Sequence, residues 1–232
     1  MIIPNKNLFI VTSALKPLGG GYFSDGERYQ QTVDGIRSIR KVLPDAIIVT
    51  SDVSVRTLSE MERNGVAKLS NIFVDMSQDA VVMDLSNKGM KSLAENVLLF
   101  NTIQTLRNSP ETAQMMSSVK RIFKFSARTI LEDSFDASEY DALFGKFVFK
   151  KRIPTWMNPP VISDLLITRM FSLCPSLIDT YLGVVGQNIQ AIQQGFDTEH
   201  AHFHNIPKQH LVEFDKLHCH GWLAGNGKIE YY

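Results

Sequence analysis

The sequence predicts a single α/β domain with a mainly parallel central sheet flanked by helices. Three observations predict it. Short, continuous apolar runs such as 8–15 and 46–52 alternate with helical patterns. Those runs are apolar on both faces, as strands covered by helices on each side must be. The first run, a Gly-rich loop, a helix and the second run together have the size of one βαβ unit.

Each element has a local reason. The run LFIVTSAL (8–15) is a first strand, with no basic stretch and long apolar stretch of the signal-peptide kind before it. The loop KPLGGGYFSDGE (16–27) follows. From 28 to 43, Tyr29, Val33, Ile36, Ile39 and Leu43 recur at helical spacing, and Pro44-Asp45 stops the helix. The run AIIVTSD (46–52) is the second strand. A helix at 55–64 and a short strand NIFVDM (71–76) come next. DLSNKGMKS (84–92) reads as a polar loop leading into a helix over 93–108, which Ser109-Pro110 ends. A short helix at 111–118 precedes an apolar strand from Ile122 to Ile130. Residues 133–145 read as a turn and short helix, and KFVFKKR (146–152) alternates like an edge strand. PTWMNPP (154–160) reads as a stiff loop. The run 162–175 holds one or two strands, and 179–194 is an amphipathic helix. All six histidines fall within 197–232.

Composition narrows the function classes. Among 232 residues, 24 Lys plus Arg balance 24 Asp plus Glu, which argues against a nucleic-acid binder with a basic surplus. Two cysteines make no disulfide framework and fit a reducing, cytoplasmic setting. No stretch of about 20 apolar residues predicts an integral membrane segment.

The strand from Ile122 to Ile130 poses a question. Residues two apart share a strand face, so Ile122, Lys124, Ser126, Arg128 and Ile130 would line one side, opposite Phe123, Phe125, Ala127, Thr129 and Leu131. Two cations on an apolar strand suit either a half-exposed strand or an anion site. Arg28 opens a helix after the first strand, and a helix N-terminus attracts phosphate; taken alone, Arg28 reads equally as a solvated side chain. The loop GGGYFSDGE lacks the Gly-Lys-Ser/Thr of a Walker motif and the G-x-G-x-x-G of a dinucleotide fold. HAHFH (200–204) and HCH (218–220) resemble metal ligands, yet a zinc site needs three or four converging donors. Substrate binding or acid–base work is the larger reading, and a half-buried structural role stays open, for His210 above all. Glu199 beside His200 is a candidate general base, or a cap.

Five stretches carry a resemblance: RYQQT (28–32) after the opening strand, VTSD (49–52), the Lys-rich loop with Glu95, IFKFSARTIL (122–131), and TRMFS (168–172) with DTEHAHF (197–203). Together they resemble the Rossmann-like, GT-A-type glycosyltransferases that use nucleotide-sugars. They look like a group of bacterial and phage glycosyltransferases whose middle strand reads roughly Lys-x-Ser-Gly-Arg-Tyr. The resemblance spans nearly the whole chain. It implies a nucleotide-sugar-binding half over 1–131 and an acceptor-binding half with a C-terminal segment over 132–232.

The resemblance also implies roles. Thr12, Ser13, Arg28 and Thr32 would lie near the nucleotide, and Asp52 would hold the base or ribose. Lys88, Lys91 and Glu95 would line the donor site. Lys124, Ser126, Arg128 and Arg169 would also touch substrate. Glu199, with His200 beside it, would take the proton of an acceptor hydroxyl on a glycan or other molecule. His218 or His220 would match the late histidine that binds metal or diphosphate. One departure stands out: Ser126 to Arg128 occupies the place of the family's Asp-x-Asp metal motif, which this chain lacks. A Mn or Mg cofactor stays open, but metal-independent transfer is preferred, with Lys124 and Arg128 offsetting the leaving-group charge. Ala127 and Thr129, where the pattern has Gly and Tyr, are a second departure. The alternatives are a non-catalytic nucleotide- or glycan-binding protein on the same scaffold, and a metal-dependent hydrolase built on the histidines. The sequence leaves oligomeric state open.

Overall fold

The computed structural model describes residues 6–18, 22–157, 161–223 and 225–232. The chain opens with β1 (Lys6–Ser13), α1 (Asp25–Val42), β2 (Ile47–Asp52), α2 (Glu60–Ala67), β3 (Ile72–Asp75), α3 (Ala80–Asn87), α4 (Lys91–Asn108) and α5 (Pro110–Ser117). It continues through β4 (Val119–Ser126), β5 (Thr129–Leu131), β6 (Phe147–Lys150), β7 (Ile153–Met157), β8 (Val161–Leu165) and β9 (Met170–Leu173). It closes with α6 (Ile178–Gln193), α7 (Thr198–Asn205), β10 (Leu211–Phe214), β11 (Cys219–Trp222) and β12 (Ile229–Tyr231).

Seven strands form the central sheet in the order β10-β6-β9-β4-β1-β2-β3. The β1–β2, β1–β4, β2–β3 and β6–β10 pairs are parallel, and β9 runs antiparallel between β4 and β6. The predicted mainly parallel sheet is therefore present. Its strands are apolar on both faces because both faces are covered. Leu8, Ile10, Val49 and Ile122 pack toward Leu99 and Ile103 of α4 and Val185 of α6. Phe9, Val11, Ile48 and Phe123 pack toward Ile36 and Ile39 of α1. Phe9 stacks on Phe123 at 4.8 Å between centroids. Each fully buried ring of this kind contributes about 2–3 kcal/mol from area burial. Among the described residues, no helix is long and apolar enough to cross a membrane.

Several expectations are corrected. The α1 helix begins at Asp25, three residues early, because Ser24 and Glu27 form a capping box. Likewise α2 starts only at Glu60, behind a Ser59–Glu62 box. Residues 84–87, read as part of a polar loop, belong to α3, which Asp79 caps by accepting from the Val81 and Val82 N–H groups. Rather than forming an edge, β6 sits inside the sheet, with Phe147, Val148 and Phe149 buried. Residues 154–157 are part of β7, which pairs antiparallel with β8. Residues 158–160 and the glycines at 19–21 lie outside the described residues.

The strand expected to run from Ile122 to Ile130 is two strands. After Ser126 the chain turns through Ala127-Arg128, and β5 joins β11 and β12 in a separate small sheet. The turn is fixed where Ala127 N–H donates to Thr12 O and Ser126 N–H donates to Arg169 O. Arg128 therefore leaves the strand face that Lys124 occupies.

Candidate functional site

The parallel strands β1, β2 and β4 bring their carboxyl ends, Thr12-Ser13, Ser51-Asp52 and Ser126, to one edge of the sheet. Ligands of open α/β sheets bind at that edge. A cavity of about 180 Å³ opens there, lined by Thr12, Ser13, Arg28, Ser126, Arg128 and Arg169. Thr32, Ser86, Lys91 and Glu95 complete its polar wall. Nine of the fourteen residues named from sequence line this cavity, and Lys124 stands behind Glu95.

The three arginines set its electrostatics. Arg28 is only 7% exposed, and its Nε has no hydrogen-bond partner. Burial lowers its pKa, against the pull of Asp25. Arg128 projects from the turn between β4 and β5, with Nη1 buried and unpartnered. Burial, with Arg169 and Arg28 nearby, brings its pKa down to about 10, against Glu95 and Tyr232. Like charges crowded out of water disfavour one another. The α1 N-terminus itself is no anion site: Asp25 and Glu27 occupy its first turn, and Ser24 caps it. The Arg28 side chain lines the cavity from one turn further on.

Glu95 is the carboxylate on this wall. Its Oε1 accepts from Lys124 Nζ at 2.7 Å and from Thr12 Oγ1 at 3.1 Å. Burial would raise its pKa, but Lys124, Arg169 and Thr12 together hold it down at about 2. Lys124 donates its two remaining protons to Ser126 Oγ at 2.8 Å and Thr168 O at 2.7 Å. An ammonium has three donors, so Lys124 has none left for a ligand. Lys124 thus fixes Glu95 and stands behind the cavity wall rather than lining the cavity.

Two further residues lie away from the expected role. Asp52 is fully buried and does not line the cavity; it accepts from Ser13 Oγ, Leu15 N–H and Ser54 N–H. It ties the ends of β1 and β2 together rather than facing a base or ribose. Lys88 is exposed and paired with Asp84 one turn back on α3.

Glu199 and His200 sit on α7, outside the cavity lining. Thr168 Oγ1 donates to Glu199 Oε1 at 2.9 Å, and Thr168 immediately precedes Arg169. Burial raises the Glu199 pKa above its ordinary value; Thr168 opposes this, and Glu95 and Asp197 add to it. His200 Nδ1 is 2.7 Å from Asp197 Oδ2, and its Nε2 is buried without a partner.

The histidines do not converge. His218 meets Ser134 and His220 meets Glu132. Among the described residues, no group of three His, Cys, Asp or Glu side chains is placed to hold a metal ion. Among the described residues, His218 and His220 are thus not joined by a third metal-ligating side chain. Sequence reasoning missed the apolar wall, formed by Pro17, Val53, Val55 and Leu98. No motif marks these residues; only their position just past strand ends or on α4 could have suggested them.

No protein-family model matches the chain, and no curated protein sequence matches it. Solved structures do. Core-mannan synthase A (CmsA/Ktr4) from Aspergillus fumigatus, in its Mn/GDP form, superposes with a TM-score of 0.52 at 4% identity, over 91% of this chain and 73% of that one. The galactosyltransferase LgtC, in complex with donor and acceptor sugar analogs, gives a TM-score of 0.53 at 9% identity, over 89% of this chain and 72% of that one.

A divalent cation does not fit the residues present here. Hard cations take carboxylate and other oxygen ligands. The wall carboxylate, Glu95, is already paired with Lys124, and three arginines share the cavity. The architecture is nonetheless shared with both enzymes: the chain has the GT-A-type fold of nucleotide-sugar glycosyltransferases.

Proposed function

We propose that the chain is a glycosyltransferase that moves a sugar from a nucleoside diphosphate sugar to an acceptor hydroxyl. One observation carries this reading: a cationic cavity at the strand ends of a GT-A-type fold, walled by Arg28, Arg128 and Arg169. Guanidinium groups grip phosphate oxygens through paired hydrogen bonds. On this reading 1–131 supplies most of the donor site and 132–232 the acceptor side.

The chemistry is a displacement at the anomeric carbon. The bond from that carbon to the diphosphate oxygen breaks, and its electron pair stays on the diphosphate. The acceptor oxygen bonds to the carbon and gives its proton to a base. Arg128 and Arg169 stabilise the charge that develops on the leaving group. Glu199 is the proposed base: burial raises its pKa above the ordinary carboxylate value, which makes its ionised form a stronger proton acceptor. His200 is the neighbouring alternative, with Asp197 holding Nδ1–H and leaving Nε2 to accept.

A second reading, a non-catalytic binding protein on this scaffold, is favoured by one fact: neither Glu199 nor His200 lines the cavity. A panel of labelled nucleotide-sugars separates the two. Release of nucleoside diphosphate, faster with an acceptor, supports transfer. Stoichiometric binding with no release supports the binding protein. Absence of both binding and release across the panel contradicts both.

A further inference from the structure

We infer that Arg28, Arg128 and Arg169 take the place of a divalent cation at this site, so that the diphosphate is held by cationic side chains without a metal ion; this rests on the donor-site reading above. The geometry gives four reasons.

First, the three side chains line one cavity of about 180 Å³, and none of them forms an ion pair with a carboxylate among the described residues. Second, Arg28 is 93% buried by exposure, and buried donors on both Arg28 and Arg128 lack partners. A buried donor left unpaired is costly, and a polyanion would satisfy both. Third, the carboxylate on the cavity wall, Glu95, is neutralised by Lys124 at 2.7 Å. The net charge facing a ligand is therefore positive. A diphosphate carries two or more negative charges, the complement of several fixed cations.

Fourth, the backbone around Arg128 is clamped. Trp222 N–H donates to Arg128 O, Ala127 N–H to Thr12 O, and Gly35 of α1 packs against the carbonyls of Ala127 and Thr129. The guanidinium is thus carried on a turn fixed before any ligand arrives, which lowers the ordering cost of binding.

Calorimetric titration of inorganic pyrophosphate, UDP and GDP into the protein tests this, in EDTA and again with Mn²⁺. The expected result is binding of pyrophosphate in EDTA, with affinity changed less than threefold by Mn²⁺. Arg128→Gln and Arg169→Gln should each weaken it roughly tenfold to a hundredfold, the range for a charged hydrogen bond. Because the arginines repel one another, both variants should melt, without ligand, at or above the wild-type temperature. That excludes misfolding as the cause. Binding that requires Mn²⁺ overturns the inference and leaves the donor-site reading standing. Binding in EDTA that both variants retain overturns the assignment of these residues. No binding of any of the three ligands, with or without Mn²⁺, overturns the inference and the donor-site reading together.

Discussion

Lys124 Nζ lies 2.7 Å from Glu95 Oε1, so the carboxylate on the cavity wall is held by a cation from the strand behind it. The pair separates two jobs that the sequence alone merges. Lys124 builds the wall; the arginines line the cavity.

Removing Lys124 should therefore cost stability first. Lys124→Met strips hydrogen bonds from Glu95, Ser126 and Thr168 and leaves a carboxylate without its cation. Breaking a fully buried pair costs about 3–5 kcal/mol. The Glu95 side chain is 37% exposed, so water offsets part of the loss, and about 2 kcal/mol is expected. Urea denaturation of the variant measures it. A variant of wild-type stability that fails to bind nucleoside diphosphate would instead make Lys124 a ligand-binding residue.

Asp52 should behave in the same way. Asp52→Ala leaves Ser13 Oγ and the Leu15 and Ser54 N–H groups without their acceptor in a fully buried place. A loss of about 3 kcal/mol is expected, since each stranded buried donor costs about 1–3 kcal/mol and the site can partly relax. Thermal or urea unfolding is the check. Intact stability with altered preference among nucleotide bases would restore Asp52 as a base or ribose contact.

Much of the fold was legible because periodicity reports burial. Strands β1 and β2 are apolar on both faces because helices cover both faces, and their sequence says so directly. What stayed hidden depends on capping and on long-range contacts. The Ser24–Glu27 box was readable as S-x-x-E, yet Asp25-Gly26-Glu27 has no apolar residue to extend the periodic pattern back to the true start. The break after Ser126 has no turn residue to announce it; it is imposed by Thr12 O and Arg169 O, which are distant in sequence. For the same reason Lys124 and Arg128 looked like neighbours on one strand face. Distant contacts also explain Asp52: a strand-end aspartate reads as a ligand contact until Leu15 and Ser54 are seen to bond it.

Gly35 should be intolerant of a side chain. A Cβ there would stand 2.7 Å from both Ala127 O and Thr129 O, which are backbone atoms that cannot rotate away. Gly35→Ala gains helix propensity, but forces α1 off the turn that carries Arg128. A net destabilisation of about 2 kcal/mol is expected from overpacking, together with weaker diphosphate binding. Denaturant unfolding and calorimetry on one preparation test both. Increased stability with unchanged affinity would show that the turn yields freely.

Two groups predict the acid limb of stability. Burial, aided by Lys124, depresses His202 to about 4 from 6.5, against Thr198 O and Glu95. The unfolded chain takes up a proton that the folded one excludes, so stability falls as pH drops from about 6.5 to 4, by roughly 3 kcal/mol. Glu95, held at about 2, has the carboxylate sign: its stabilisation is present above about 4.5 and is lost as pH falls toward 2. Melting temperature against pH should show both losses in the wild type. In Glu95→Gln the lower one should shrink while the upper one remains. A flat profile between pH 6.5 and 4 would contradict the buried, neutral state of His202.

The central claim is that the diphosphate of a sugar nucleotide lies on the three arginines. A crystal structure of the protein with a bound nucleoside diphosphate, grown in EDTA, tests it most directly. The account predicts phosphate oxygens within 3.2 Å of the Arg128 and Arg169 guanidinium nitrogens, the usual limit for such a bond, with Glu95 still paired to Lys124. Phosphates seated elsewhere, for example beside Lys88 or the histidines of 218–220, would contradict it.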